Sequence, residues 1–230
     1  MVLTLYGLAA PLGGTATVAM TLAEKGIPYT FVSVDLQHGE HKQPEFRKKQ
    51  PFGLVPALDD DGFVLYESRA ICRYLAEKYA GQGPTLIPTE LKAKALFEQA
   101  AAVEFANFEP HARAAYNEGV LKPHFNLPID ASALNTCISK LSDNLDVYEV
   151  ILGKQRFLAG DEFTLADLFH VAFGTTLAEA GCDLMTSKGP NVKRWWKEVT
   201  SRPAWLSVLN SGIKTTMCED DAFKSGVSEP

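Results

Sequence analysis

The chain has 230 residues, 46% of them hydrophobic and 22% charged, with a net charge of −6 at pH 7. That size allows one compact unit or two small domains, and the acidic total argues against a nucleic-acid binder, which needs a basic face to neutralise phosphates. No apolar run reaches the roughly 20 residues that cross a bilayer, and Met1–Tyr6 lacks the basic start of a secretory signal. The four cysteines, Cys72, Cys137, Cys182 and Cys218, stand far apart with no C-x-x-C pair. No metal site or dithiol motif is therefore expected, and a reducing, cytoplasmic setting suits the chain.

In chain order, Val2–Tyr6 reads as an apolar strand, and Thr15–Lys25 carries Val18, Ala19 and Leu22 at helical spacing before Gly26 and Pro28 end it. Tyr29–Val34 is a second strand. His38–Lys49 is polar, a loop with a short helix. Val55–Leu58 and Phe63–Tyr66 flank Asp59–Gly62, a hairpin turn. Glu67–Tyr79 is a helix with Ile71, Tyr74 and Leu75 on one face. The order βαβ–ββα is a thioredoxin-like arrangement.

Gly81–Pro88 is rich in turn residues and prolines, and after it the period is helical throughout. Thr89–Gly119 is a long helix that Pro110 should kink or split. Leu121–Ile129 holds Pro123 and Pro128 and reads as a loop. Ala131–Leu152 is a helix closed by Gly153, Thr164–Gly181 another, and Pro190–Thr200 and Ala204–Ser211 are shorter. The expected organisation is an α/β domain over residues 1–80, a linker over 81–89, an all-α helical bundle over 90–214, and a frayed tail over 215–230.

Four segments carry more than secondary structure: Gly39-Glu-His-Lys42, Pro51-Phe-Gly-Leu-Val-Pro56, Tyr66-Glu-Ser-Arg-Ala-Ile71, and Phe157–Asp167. In this order and spacing, from Leu3 to about Leu209, the chain resembles the soluble glutathione transferases. The Gly-Glu-His-Lys stretch is most similar to the phi class of plants and its fungal relatives. The resemblance implies a thioredoxin-like N-terminal domain that binds glutathione, followed by an all-helical domain carrying a hydrophobic-substrate site. Its activity would be conjugation of the glutathione thiolate to hydrophobic electrophiles, accompanied in some members by hydroperoxide reduction, with glutathione as co-substrate and no metal. A homodimer is expected.

The residues fit such a ligand chemically. Glutathione offers two carboxylates, an α-amine, a peptide backbone and a thiol. Leu54-Val55-Pro56 would pair with its backbone; the resemblance implies a cis Val55–Pro56 bond that turns the Val55 amide and carbonyl outward. A plain strand-starting proline is the alternative. Ser68, at a helix start, would receive the γ-glutamyl carboxylate, with Glu67 on the amine; an N-terminal cap alone is the competing reading. His41 and Lys42 would meet the glycyl carboxylate, or else form a solvated surface pair. Thr164-x-x-Asp167 is a capping box with a structural role. Phe52 is expected at the contact with a second subunit.

The activating group is less plain. The phi pattern places a serine just before the first helix, but this chain has Pro11 or Leu12 there, in a loop one residue longer that contains Gly13-Gly14. Thr15 is the nearest hydroxyl, equally readable as an ordinary N-cap. The amide of Gly13 or Gly14 is the alternative donor. In a third case the sulfur is not activated, and the protein is a ligandin-like carrier with little turnover; an interaction protein on this fold would lack glutathione affinity altogether. Leu12, Phe108, His111, Ala112 and Tyr116 are candidates for the hydrophobic-substrate site between the domains, with Phe105 extending their stripe; a bundle core is the bland reading.

Overall fold

The computed structural model describes residues 3–216. The chain divides into two units. The first runs to Pro84 and resumes at Ser207; the second spans Thr85–Leu206.

In the first unit, strands β1 (Leu3–Gly7), β2 (Tyr29–Ser33), β3 (Ala57–Asp60) and β4 (Phe63–Tyr66) form one sheet in the order β2-β1-β3-β4. β1 pairs parallel with β2 and antiparallel with β3, which pairs antiparallel with β4. Leu3 and Leu5 alternate with half-buried Thr4 and Tyr6, as a strand with one core face requires. The β3–β4 turn is Asp61-Gly62, both at positive φ (55° and 90°), and Asp59 Oδ1 accepts the Gly62 amide at 2.8 Å. Two positive-φ residues make the hairpin turn whose twist matches its strands.

Helix α1 (Gly13–Glu24) is buried continuously from Thr15 to Leu22 and packs on α3 (Ser68–Lys78), whose inner face is Ile71, Cys72 and Leu75. Thr21 donates to Cys72 Sγ at 3.2 Å, and burial pushes that thiol up to about 12. Each fully buried Leu or Ile here contributes about 1.5–3 kcal/mol. Between β2 and β3, the loop with a short helix read from sequence is a 3₁₀ turn (Glu40–Lys42) followed by the short α2 (Pro44–Arg47).

The second unit opens with α4 (Leu91–Val103), a π-helical turn (Glu104–Phe108), α5 (Glu109–Tyr116), a second π turn (Asn117–Leu121) and the one-turn α6 (Lys122–His124). Pro110 neither ends nor splits this path. Its ring would meet the carbonyl four residues back, and that residue, Ala106, lies in the first π turn, where the wider spiral makes room. The expected loop at Leu121–Ile129 is helical up to His124, with Pro123 inside the single turn that continues the π turn before it.

α7 (Ala131–Leu152) is capped by Asp130, which accepts from Ala133 N at 3.0 Å. The single helix expected over Thr164–Gly181 is instead α8 (Leu165–Leu168), α9 (Val171–Gly174) and a 3₁₀ turn (Thr175–Leu177). Thr175 and Thr176 hydrogen-bond back to Val171 O and Phe173 O (3.0 and 2.8 Å), competing with the backbone ladder. Thr164 and Asp167 complete the capping box, and Asp167 also accepts from Leu158 N (2.9 Å) and Trp195 Nε1 (2.8 Å). The short α10 (Leu184–Ser187) precedes α11 (Pro190–Thr200), whose first amides are held by Glu149 of α7: Asn191 N at 3.1 Å and Val192 N at 2.8 Å.

α12 (Pro203–Ser211) runs across the unit boundary at Leu206. The tail expected to fray from residue 215 is ordered at its first two residues. Thr215 and Thr216 accept the amides of Phe31 (2.9 Å) and Tyr29 (3.0 Å) on β2, and Thr216 N returns a bond to Tyr29 O at 2.8 Å. The second unit therefore ends earlier than the expected residue 214. The rest of that tail, 217–230, and Cys218 lie outside the described residues.

Candidate functional site

The first unit gathers three separated segments at one place. The Val55–Pro56 bond is cis, and no backbone hydrogen bond from Val55 is found among the described residues, so its amide and carbonyl remain available. Glu67, just before α3, has φ 69° and ψ 108°. This is a conformation that costs an ordinary residue about 1–3 kcal/mol and that clusters at ligand sites. The strained backbone leaves the Glu67 side chain exposed while its carbonyl starts α3 by accepting from Ile71 N at 2.9 Å. Ser68 is the first residue of that 11-residue helix, where unpaired amides and the helix dipole favour a carboxylate.

The third segment is the start of α1. A Cβ placed on Gly14 would lie 2.9 Å from Pro56 Cδ and 3.0 and 3.1 Å from Ser68 Cβ and Oγ. Only a residue without a side chain fits there, so Gly14, Pro56 and Ser68 meet at one point. Gly13 has φ 61°, again suited to glycine. Leu12, half-buried, precedes α1 without any side-chain cap.

The neighbouring loop is held from within. Lys42 Nζ donates to Gly53 O at 2.6 Å, and Gly53 N to Gln50 O at 2.9 Å. Gly53 has φ 61°, and a Cβ on it would come within 2.7 Å of His41 O. His41 Nδ1 is buried without a hydrogen-bond partner, and burial, then the Lys42 charge, holds the imidazole below its usual range. The ring is consequently neutral at pH 7. Leu54 and Phe52 are exposed, at 51% and 65%, and the Phe52 ring meets Tyr66 edge-on at 6.0 Å.

Thr15 sits differently from the sequence expectation. Its side chain is 1% exposed and faces β1: its Oγ1 accepts the Leu8 amide at 3.2 Å and packs over Gly7, where a Cβ would lie 2.5 Å from it. The hydroxyl thus fastens the loop after β1.

Of the five residues proposed for a hydrophobic site, Leu12 belongs to the first unit and the rest to the second. Phe108 and Ala112 are buried, and the Phe108 ring lies 4.5 Å from His170. These two are core side chains, a correction to their expected role. The stripe also loses Phe105, which is 60% exposed, because the π turn inserts a residue and shifts the phase of the helix. His111 and Tyr116 are half-buried; Tyr116 meets Phe173 edge-on at 6.4 Å, and burial with the nearby Glu179 raises its phenol. The sequence reading missed the buried chain in which Tyr148 Oη and His170 Nε2 lie 3.0 Å apart and His170 Nδ1 lies 2.8 Å from Ala166 O. A lone histidine at helical spacing carried no signal of it. Among the described residues no group of side chains could hold a metal ion, and no helix is long and apolar enough to cross a membrane.

Two family models match: one described as glutathione S-transferase, N-terminal domain, over residues 15–83, and one as the C-terminal domain over residues 111–203. A curated relative, glutathione S-transferase hmp2 of Hypomyces subiculosus, is 40% identical over 209 residues, covering 90% of this chain and 97% of its own. The crystal structure of glutathione transferase F2 from Populus trichocarpa superposes with a TM-score of 0.86 at 40% identity, over 91% of this chain and 98% of that one. Maize glutathione S-transferase I, solved in complex with an atrazine glutathione conjugate, gives a TM-score of 0.82 at 32% identity, over 91% and 97%.

Proposed function

The chain belongs to the glutathione S-transferases, with phi-class plant and fungal relatives, and from that premise we propose how its first unit holds glutathione and what it conjugates. The enzyme transfers glutathione, and glutathione is its co-substrate. The observation that carries the site assignment is the meeting of Gly14, Pro56 and Ser68 beside the free backbone of Val55.

In this reading Ser68, through its hydroxyl and the first amides of α3, receives the γ-glutamyl carboxylate, and Glu67 takes the α-amine. Val55 pairs with the cysteinyl backbone as an added strand, Leu54 beside it. His41 and Lys42 receive the glycyl carboxylate. The thiol proton leaves to solvent, and the thiolate forms a carbon–sulfur bond to the acceptor while a leaving group departs with its electron pair. The acceptor class is a hydrophobic electrophile, supported by the atrazine glutathione conjugate bound to the maize relative; His111 and Tyr116, half-buried in the second unit, remain candidates to contact it. Phe52, apolar and 65% exposed, is assigned to a homodimer contact. The cytoplasm is the expected location.

The test is conjugation of an activated aryl halide, run beside calorimetric titration with glutathione. Turnover with saturable binding supports the reading. Binding without turnover would mean a carrier, and absence of binding would remove the site.

A further inference from the structure

The first unit holds a cavity of about 780 Å³. Every described residue that lines it belongs to that unit. Ala19 and Leu22, buried in the C-terminal half of α1, and Tyr29 at the start of β2 form its deep part. Ile27 and Pro28 join those two elements, and Val208, Ser211 and Lys214, from α12 and the residues after it, complete the wall. On α1 the cavity begins more than a full turn past Gly14. None of Val55, Pro56, Glu67 and Ser68 lines it, so it is separate from the segments assigned to glutathione.

Small-molecule sites have volumes of about 300–1,000 Å³ and mostly apolar walls, with a few polar groups that fix orientation. Here the polar groups are donors. Tyr29 is 5% exposed, yet its phenol oxygen has no hydrogen-bond partner among the described residues. Burial alone pushes the phenol up to about 12, so it remains an O–H at pH 7. A buried hydroxyl without a partner is uncommon and calls for an explanation. Among the described residues the sealed side-chain polar atoms that lack a partner are His41 Nδ1 and Trp205 Nε1. The Tyr29 oxygen is therefore not sealed, and the space it opens on is the cavity that Tyr29 lines. The Tyr29 amide and carbonyl are both taken by Thr216, at 3.0 and 2.8 Å, which leaves only the hydroxyl for a ligand. Lys214 is exposed at the rim, with no ion-pair partner among the described residues. None of the described lining residues is acidic. In a chain of net charge −6 this mouth is locally cationic.

We infer that this cavity is a second binding site, for an apolar carboxylic acid that also carries a hydrogen-bond acceptor. The acceptor takes the Tyr29 hydroxyl in the depth of the cavity, the apolar body lies on Leu22, Ile27 and Val208, and the carboxylate meets Lys214 at the mouth. The two polar contacts differ in kind. The phenol donates in a place shielded from water and decides which end of the ligand enters. The exposed ammonium contributes an attraction that salt screens. The site does not depend on where glutathione sits.

The probe is 4-benzoylbenzoate, an aromatic acid whose ketone is both the acceptor and, on irradiation, a label for the C–H bonds beside it. It is titrated by calorimetry into the full chain, then irradiated, and the labelled peptides are identified by mass spectrometry. The expected result is saturable binding with the label on the α1–β2 segment around Leu22–Tyr29 or on Val208, and no displacement by S-hexylglutathione. Tyr29→Phe keeps the ring and both backbone bonds to Thr216. It should leave thermal unfolding unchanged and weaken the probe roughly 2- to 10-fold, the range of one neutral hydrogen bond. Lys214→Gln should weaken it a few-fold at low salt and remove most of the salt dependence. Glutathione affinity should stay the same in both variants. Absence of saturable binding overturns the proposal. So does a label confined to the second unit with displacement by S-hexylglutathione, which would place the probe with the acceptor. Wild-type affinity in both variants overturns it as well. None of these results bears on the glutathione site, which is tested by its own titration.

Discussion

The Leu8 amide is bonded to the Thr15 hydroxyl at 3.2 Å, tying the exit of β1 to the first turn of α1 across seven residues. Thr15→Val keeps the shape and removes the acceptor, leaving the amide with no partner in a place that is 1% exposed at Thr15. The expected cost is about 1–3 kcal/mol of stability, read as a lower urea midpoint. Unchanged stability would show that the bond contributes nothing.

Glu67→Ala and Ser68→Ala should each weaken glutathione binding by about 1.5–3 kcal/mol, the value of a hydrogen bond to a charged group. Glu67→Gly is an informative companion. It relieves the positive φ of 69°, so the folded protein should be no less stable while the affinity still falls. Calorimetry and thermal unfolding together separate the two effects; wild-type affinity in all three variants would displace the γ-glutamyl subsite.

His41 supplies a pH dependence. Burial and Lys42 hold its imidazole below the ordinary histidine range, so it is neutral at pH 7. It gains a proton only as pH falls through that lowered value. Protonation turns a neutral donor into a charged one facing the glycyl carboxylate, worth about 1 kcal/mol more. Affinity should therefore rise as pH falls through that lowered value, and His41→Gln should abolish the rise. Titration over a pH series from neutral into the acid range is the measurement, and an identical slope in the variant rules His41 out.

Phe52→Ala should shift the protein toward monomer, because the contact would lose an aromatic side chain that the isolated chain leaves 65% exposed. Sedimentation at micromolar concentration decides it. A wild-type monomer, or a variant dimer of unchanged affinity, removes Phe52 from the interface.

Asp167→Ala should be the most disruptive single change outside the site. The carboxylate is fully buried and serves Leu158 N, Thr164 N, Thr164 Oγ1 and Trp195 Nε1. Removing it strands these donors at once, at a cost of about 1–3 kcal/mol for each left unsatisfied, visible as a depressed Tm with glutathione binding retained in whatever remains folded.

The sequence was most legible where a local chemical signal marks an element's edge. Gly153 closes α7 and Pro190 opens α11 at the residues the pattern indicates. The Asp59–Gly62 cluster located the hairpin, although the turn itself is only Asp61-Gly62. Illegible features depend on distant packing. The passage from α9 into the 3₁₀ turn follows from threonines bonding backward and from Gly174 lying against the Trp196 ring, where a Cβ would come within 2.5 Å. The π turns moved Phe105 and Phe108 to different environments, which a 3.6-residue period cannot foresee. At the site, Ser68 and Pro56 were readable as motif residues. That Thr15 faces inward was not, since its partners, Gly7 and Leu8, are a glycine and a backbone amide.

The hydroxyls of Thr215 and Thr216 tie a late segment of the polypeptide to β2, an early one. Their separations of 184 and 187 residues from Phe31 and Tyr29 are nearly the longest the described chain offers. A chain made from its amino end must synthesise all of the second unit before the edge of β2 acquires these partners. Until then the strand's outer amides stand open on a nascent chain, the kind of unpaired edge that invites association with another strand. These late-made residues thus act late in biogenesis, and removing the Thr215 and Thr216 hydroxyls should reveal itself first in the yield of correctly folded protein during synthesis.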